Sequence, residues 1–372
     1  MKPVKSSAVR IREARFEDYT QITDVIRRNG LYTKTREEWE HLWAGNPVYK
    51  RSSNWAIGWV AQTSDGEIVG YIGNIPLSAE FRGSEVMVAC PNSLVMDKSY
   101  RGSGYGGVLL RHALEYKLAH IVVATTANAI AGDVLKVFGV SRVPCGDWGR
   151  ASFWITDYSG FIASVLSKRG WPTALSYAAG PLLEIRDRIR HNDSWIGKNR
   201  RDFEVCTHFD ERFDRFWEEL KRAHPERLLA TRSREVLQWH FKHVLEQGKA
   251  WIVLEREGSR IISYSVFRRR DVPEHGLNRI QLVDFQTFHD DMQTLTPMLA
   301  WALEKCKAEH VHALEAFGFH PDKQAIIDRL APHQRQLPSW WYFYKPLHGE
   351  LERALKDAAA WDTSHFDGDA SL

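Results

Sequence analysis

Asp97-Lys98-Ser99-Tyr100-Arg101-Gly102-Ser103-Gly104-Tyr105-Gly106-Gly107 follows the apolar run Leu94-Val95-Met96 and opens an amphipathic stretch with helical spacing. Glycines at this density let the backbone turn tightly and aim several N–H groups at one point. The positive end of the helix dipole adds to them, so the segment suits a phosphate or pyrophosphate. It is not a Walker loop, because no Gly-Lys-Ser/Thr follows. It is not a dinucleotide fingerprint either, since G-x-G-x-x-G is not met and no acidic residue sits at a following strand end for a ribose. Taken alone, the segment also reads as a plain glycine-rich turn.

Working outward, the spacing Arg101-x-x-Gly104-x-Gly106 after a strand ending at Asp97 resembles the coenzyme A signature of the GNAT acyltransferase superfamily. Asn128, Ala131, Val134 and Gly139 fall at the spacing of that family's next βα unit. The resemblance implies a central strand, Ser93 to Asp97, that splays from its neighbour and pairs with the pantetheine arm through backbone groups of Val95 and Met96. It implies that backbone N–H groups of Arg101, Gly102, Ser103, Gly104, Tyr105 and Gly106 hold the pyrophosphate, and that Asn128 touches the coenzyme. A simple helix cap is the alternative for Asn128. Acetyl-CoA is the implied cosubstrate, with no metal, and direct attack of an amine on the thioester is the implied reaction.

Two positions depart from the family pattern. Leu135 stands where many members carry a tyrosine that protonates the leaving thiolate. Cys90-Pro91-Asn92-Ser93-Leu94 stands where many carry a glutamate base. Asn92 and Ser93 could hold a relay water, Asp147 is a further candidate base, and a base from outside this half is also expected. Cys145 and Tyr105 are weaker candidate proton donors. The acceptor is expected in a cleft near Tyr32, Trp39, Trp43 and the strand ends at Cys145 to Trp148. Its class is a small-molecule amine, either a sugar amine or an amino acid. Two rival readings are a catalytically inactive coenzyme-binding or scaffolding module and an aminoacyl or long-chain acyl transferase.

The chain has 372 residues, 44% hydrophobic and 26% charged, with 50 basic and 47 acidic side chains. That excludes disorder for most of its length, predicts two domains and gives no sign of a nucleic-acid partner. Four widely spaced cysteines fit a reducing compartment. No apolar leader opens the sequence, and Ile121 to Val140 is too polar for a membrane span, so a cytoplasmic protein is expected. After residue 200 the element order starts again: Thr33-Lys34-Thr35-Arg36-Glu37 is echoed by Thr231-Arg232-Ser233-Arg234-Glu235, each opening a Trp-bearing helix. The second half has Phe288-His289-Asp290-Asp291-Met292 at the loop position, with no glycine, and reads as degenerate. The expected fold is therefore α/β (α+β): two GNAT-like domains, each a twisted mixed sheet flanked by helices, joined by a helical connector. The divisions fall at 1–156, 157–200 and 201–346, with a C-terminal helix and polar tail at 347–372. Arg268-Arg269-Arg270 reads as a solvated strand edge. The pairs His240/His243 and His310/His312 read as ordinary histidines, since neither has a third metal ligand at a usable spacing.

Overall fold

The computed structural model describes residues 8–52, 54–146, 149–190, 194–199, 201–289, 292–338 and 341–372. The first half carries strands β1 (Val9–Glu13), β2 (Gly58–Thr63), β3 (Ile68–Phe81), β4 (Ser84–Met96), β5 (Ile121–Ala127), β6 (Ser141–Arg142) and β7 (Arg150–Ile155). The second carries β8 (Glu204–Cys206), β9 (Leu229–Ala230), β10 (Ala250–Glu257), β11 (Arg260–Arg269), β12 (Arg279–Thr287), β13 (Ala313–Ala316), β14 (His333–Gln336) and β15 (Trp341–Pro346). They form two mixed sheets flanked by helices, ordered β1-β2-β3-β4-β5-β15-β6, with β9 added on β3, and β14-β7-β13-β12-β11-β10-β8.

Each sheet is an antiparallel meander that ends in one parallel pair, β4 with β5 and β12 with β13. A parallel step needs a crossover, and helices Tyr105–Leu114 and Leu295–Ala308 supply it. The halves also exchange strands. β15 lies antiparallel to β5 in the first sheet, and β7 lies antiparallel to β13 in the second. Sheet membership therefore crosses the sequence divisions near 156 and 346. One hydrophobic core runs through both halves, joining Trp39, Trp43 and Tyr71 to Phe213, Trp239 and Tyr264. Across it, Trp239 Nε1 donates to the His41 carbonyl at 2.9 Å, and the His41 ring reaches the Trp239 carbonyl at 3.0 Å. In the stretch expected as a connector, helices Tyr158–Lys168 and Ser176–Arg190 pack on each other.

Three local expectations need correction. The central strand expected from Ser93 to Asp97 is the end of a longer one, since β4 runs unbroken from Ser84 through Pro91 to Met96. Past Ala89 it has lost β5, and a residue without an N–H is tolerated where one side of a strand is unpaired. Arg268 and Arg270 are not on a solvated edge: β11 is an inner strand, and both guanidiniums turn inward to carbonyls of Ser371 and Ala370. The tail is not a solvated polar segment. Residues 361–368 are buried between the halves, with Trp361 and Phe366 in the shared core.

Burying so polar a tail has a pH signature. Burial pushes the Asp367 carboxyl up to about 7 against the pull of Arg232, and its Oδ1 has no hydrogen-bond partner. A carboxyl whose pKa rises on folding favours the folded state below the unfolded pKa and loses that contribution as pH climbs through the folded value. Asp367→Asn should therefore be more stable than wild type at pH 8, by about 1–3 kcal/mol, with the advantage shrinking towards pH 4. Urea midpoints at the two pH values check this.

Candidate active site

The glycine-rich segment lies as a solvent-exposed loop beyond the end of β4. Gly102 and Gly104 sit at φ +80° and +89°, which side-chain-bearing residues rarely adopt. Gly104 is the N-cap of helix Tyr105–Leu114 and offers no side-chain cap, so the first-turn N–H groups face outward from the loop. Arg101 Nε donates to the Met96 carbonyl at 3.2 Å, and its guanidinium also reaches Asn29 Oδ1. Arg28 pairs with Asp97 at 2.6 Å. These contacts hold the loop against β4 and the first long helix. Helix Tyr105–Leu114 buries Leu109, Leu110, Ala113 and Leu114, while Val108 and, beyond its end, Leu118 are exposed.

β4 and β5 pair only at Val88–Ile121 and Ala89–Val122 and then diverge, leaving a wedge beneath the loop. Beside the wedge, on the other edge of β4, the ladder with β3 is irregular: Tyr71 faces Val95 and Gly73 faces Asn92, so Ser93 and Leu94 together oppose Ile72. Ser93 has φ +55° at this bulge. Gly73 has no side chain because Asn92 Oδ1 and the Tyr71 hydroxyl occupy the place of a Cβ, at 1.9 and 2.7 Å from where one would stand.

A cavity of about 220 Å³ opens beside the bulge, walled by Asn92, Ser93, Tyr71, Trp39, Lys34 and Asp369, among others. Asp369 belongs to the tail. Its Oδ1 accepts from Thr125 Oγ1 at 2.8 Å, and its Oδ2 accepts from Thr126 Oγ1 at 3.1 Å, both on β5. Gly368 is seated so closely that a Cβ there would lie 2.4 Å from Thr125 Oγ1. Lys34 Nζ, Arg268 and Arg270 donate to the carbonyls of Leu372, Ser371 and Ala370 in turn.

Residues 54–134, which contain the bulge, the wedge and the loop, match the family model described as acetyltransferase (GNAT) domain. The chain carries a GNAT domain. With that domain it is an acyltransferase. Solved structures share the fold of almost the whole chain. The GCN5-related N-acetyltransferase of Anabaena variabilis is 11% identical, with 92% of this chain and 73% of that one aligned at TM-score 0.53. The GCN5-related N-acetyltransferase of Kribbella flavida is 13% identical, covering 93% and 73%, TM-score 0.54. The N-myristoyltransferase of Saccharomyces cerevisiae with bound myristoyl-CoA is 14% identical, covering 92% and 80%, TM-score 0.56. No curated protein sequence matches the chain.

Within the GNAT domain, Val95 and Met96 line the wedge strand, and Arg101 to Gly106 form the loop and first helical turn above it. Asn92 and Ser93 stand at the bulge and wall the cavity. Asn128 caps helix Ala129–Val137, its Oδ1 accepting from Ala131 N–H at 2.9 Å. Asp147 and Trp148 lie outside the described residues. Of the expected acceptor aromatics, Tyr32 and Trp39 reach the cavity; Trp43 is fully buried, with its indole on the Asn74 carbonyl. Cys145 is buried against the tail, and burial pushes its thiol up to about 12. Leu135 is a buried core side chain.

Thr125, Thr126, Lys34, Arg270 and Asp369 were not read from the sequence as site residues. The signal available was in residues 357–372, which are free of Lys, Arg and Glu and carry Trp361 and Phe366 as anchors.

The second half repeats the wedge and fills it. β12 pairs with β13 only from Arg279 to Leu282, and beyond this Lys323 Nζ donates to the Phe285 carbonyl at 3.1 Å and to Asp362 at 2.6 Å. A protein ammonium thus takes a strand carbonyl in this wedge. Phe288 packs under Arg260 and against Phe216. Asp290 and Asp291 lie outside the described residues.

Proposed function

We propose that this protein transfers a short acyl group, acetyl foremost, from acyl-CoA to the amine of a small molecule held in the 220 Å³ cavity. The observation that carries the reading is the shape of the β4–β5 wedge. It is open toward the loop at Arg101–Gly106 and closed at its other end by Gly368 and Asp369 against Thr125. Two cavities on the far side of the tail measure about 20 and 30 Å³, room for one or two waters and not for a long acyl chain.

In this reading the loop N–H groups hold the pyrophosphate, and the exposed edge of Val95 and Met96 pairs with the pantetheine amides. The thioester then lies at the Ser93–Leu94 bulge, where a backbone N–H outside the ladder polarises its carbonyl. Asn128 serves the coenzyme indirectly, by fixing the helix beside the wedge. The amine attacks the thioester directly, and Leu135 leaves the departing thiolate to be protonated by water or by the proton released from the amine. The second half builds the acceptor side through Arg268, Arg270 and the tail, and binds no coenzyme. The sugar amine and the amino acid both remain within the cavity's size, and the cytoplasm is the proposed compartment.

Purified protein with acetyl-CoA and a panel of amino acids and amino sugars, followed by release of free thiol, tests this. Amine-dependent thiol release is expected. Coenzyme binding with no release for any amine would contradict it in favour of a non-catalytic module.

A further inference from the structure

We infer that Asp369 is the general base that takes the proton from the acceptor amine. The inference rests on the proposed acyl-transfer reading of the cavity. Among the described residues lining that cavity, Asp369 is the one with a carboxylate side chain, and Asn92 and Ser93 of the bulge line it too. The carboxylate is tied to β5 by Thr125 and Thr126, and Gly368 is lodged against Thr125, so its position is set by the same strand that bounds the wedge. A base need only be within hydrogen-bond reach of the amine and fixed there. Asp369 meets the second condition through these contacts and the first through its place in the wall.

The charged and titratable groups around it come from every neighbouring element. Lys34 comes from the segment before helix Arg36–His41, Arg268 and Arg270 from the end of β11, Tyr71 from β3 and Cys90 from β4. Burial pushes the Asp369 carboxyl up, against the hydrogen bonds from Thr125 and Thr126 and the charge of Lys34. Burial pushes Lys34 down, and Arg268 pushes it further. The raised pKa makes the Asp369 carboxylate a stronger base than an exposed one, and the lowered one makes Lys34 easier to deprotonate.

In the step itself, the neutral amine nitrogen forms the C–N bond at the thioester carbonyl carbon. Its proton passes to Asp369, and the C–S electron pair leaves on sulfur. Asp369 returns the proton to the thiolate or to water, so amide and free thiol are the products and the carboxylate is restored.

The test is the pH profile of kcat/KM, with the best amine of the panel, for wild type, Asp369→Asn, Asp369→Glu and Lys34→Met. Acetyl-CoA affinity by calorimetry and the thermal midpoint serve as checks on folding. Asp369→Asn should lose about 10²–10⁴-fold at unchanged coenzyme affinity and lose the ascending limb due to the carboxyl. Asp369→Glu should recover part of the rate. A folded Asp369→Asn within about threefold of wild type, or a loss confined to Lys34→Met, overturns the assignment and leaves the proposed function standing. Absence of amine-dependent turnover in wild type overturns the proposed function and the base with it.

Discussion

Gly104→Glu should weaken acyl-CoA binding about a hundredfold while the protein stays folded. Gly104 holds φ +89° at the N-cap of helix Tyr105–Leu114, with no atoms within 4 Å of where a Cβ would stand. Space is therefore not the obstacle. A left-handed side-chain residue costs about 1–2 kcal/mol, and relaxing that strain would re-aim the loop N–H groups. The added carboxylate also repels a phosphate at about 4 Å by roughly 1–4 kcal/mol. A combined loss of about 3 kcal/mol weakens binding about a hundredfold. Calorimetry with acetyl-CoA checks it, and unchanged affinity in a folded variant would remove the loop from the account.

Arg232→Met should be the most destabilising single change near the tail. Arg232 and Asp284 are both fully buried and pair at 2.9 Å; Tyr264, Gln286 and Ser364 also donate to the Asp284 carboxylate. Burial alone would raise Asp284, yet Arg232, the Gln286 hydrogen bond and the charge of Lys323 hold it below the usual carboxylate range. Removing the guanidinium strands a buried carboxylate, which costs about 3–5 kcal/mol. It also releases Ser364, and with it the tail segment leading to Asp369. Asp284→Leu added to Arg232→Met should restore only part of the loss, because the tyrosine, glutamine and serine donors then lose their acceptor. Urea unfolding of the single and double variants measures both.

The loop, the central strand and the repeated element order were legible because each is local. Glycine spacing marks a turn, apolar runs mark strands, and Thr33 to Glu37 with its echo at Thr231 to Glu235 marks two helix starts. Strand exchange was not legible. Nothing in Arg150–Ile155 or Trp341–Pro346 states which parallel pair it will join, since both are short apolar strands whose partners lie far away in the chain. The tail misled for a related reason. Asp362, Asp367 and Asp369 read as solvated until Lys323, Arg232 and the two threonines of β5 are placed beside them. Arg268 and Arg270 misled equally, because the carbonyls they serve are a hundred residues onward. The departures at Leu135 and at Cys90 to Leu94 were visible at once. What the sequence could not show was that a carboxylate from the other end of the chain stands beside the same bulge.

Turnover against donor chain length, from acetyl- to myristoyl-CoA at fixed acceptor, tests the central claim most directly. With the wedge closed by Gly368 and Asp369, thiol release should be fastest for acetyl and fall at least about tenfold by an eight-carbon chain, the equivalent of the ~1–3 kcal/mol that overpacking costs. An acyl tunnel would instead gain about 0.8 kcal/mol per buried methylene. Turnover or affinity that rises steadily with chain length would contradict the account.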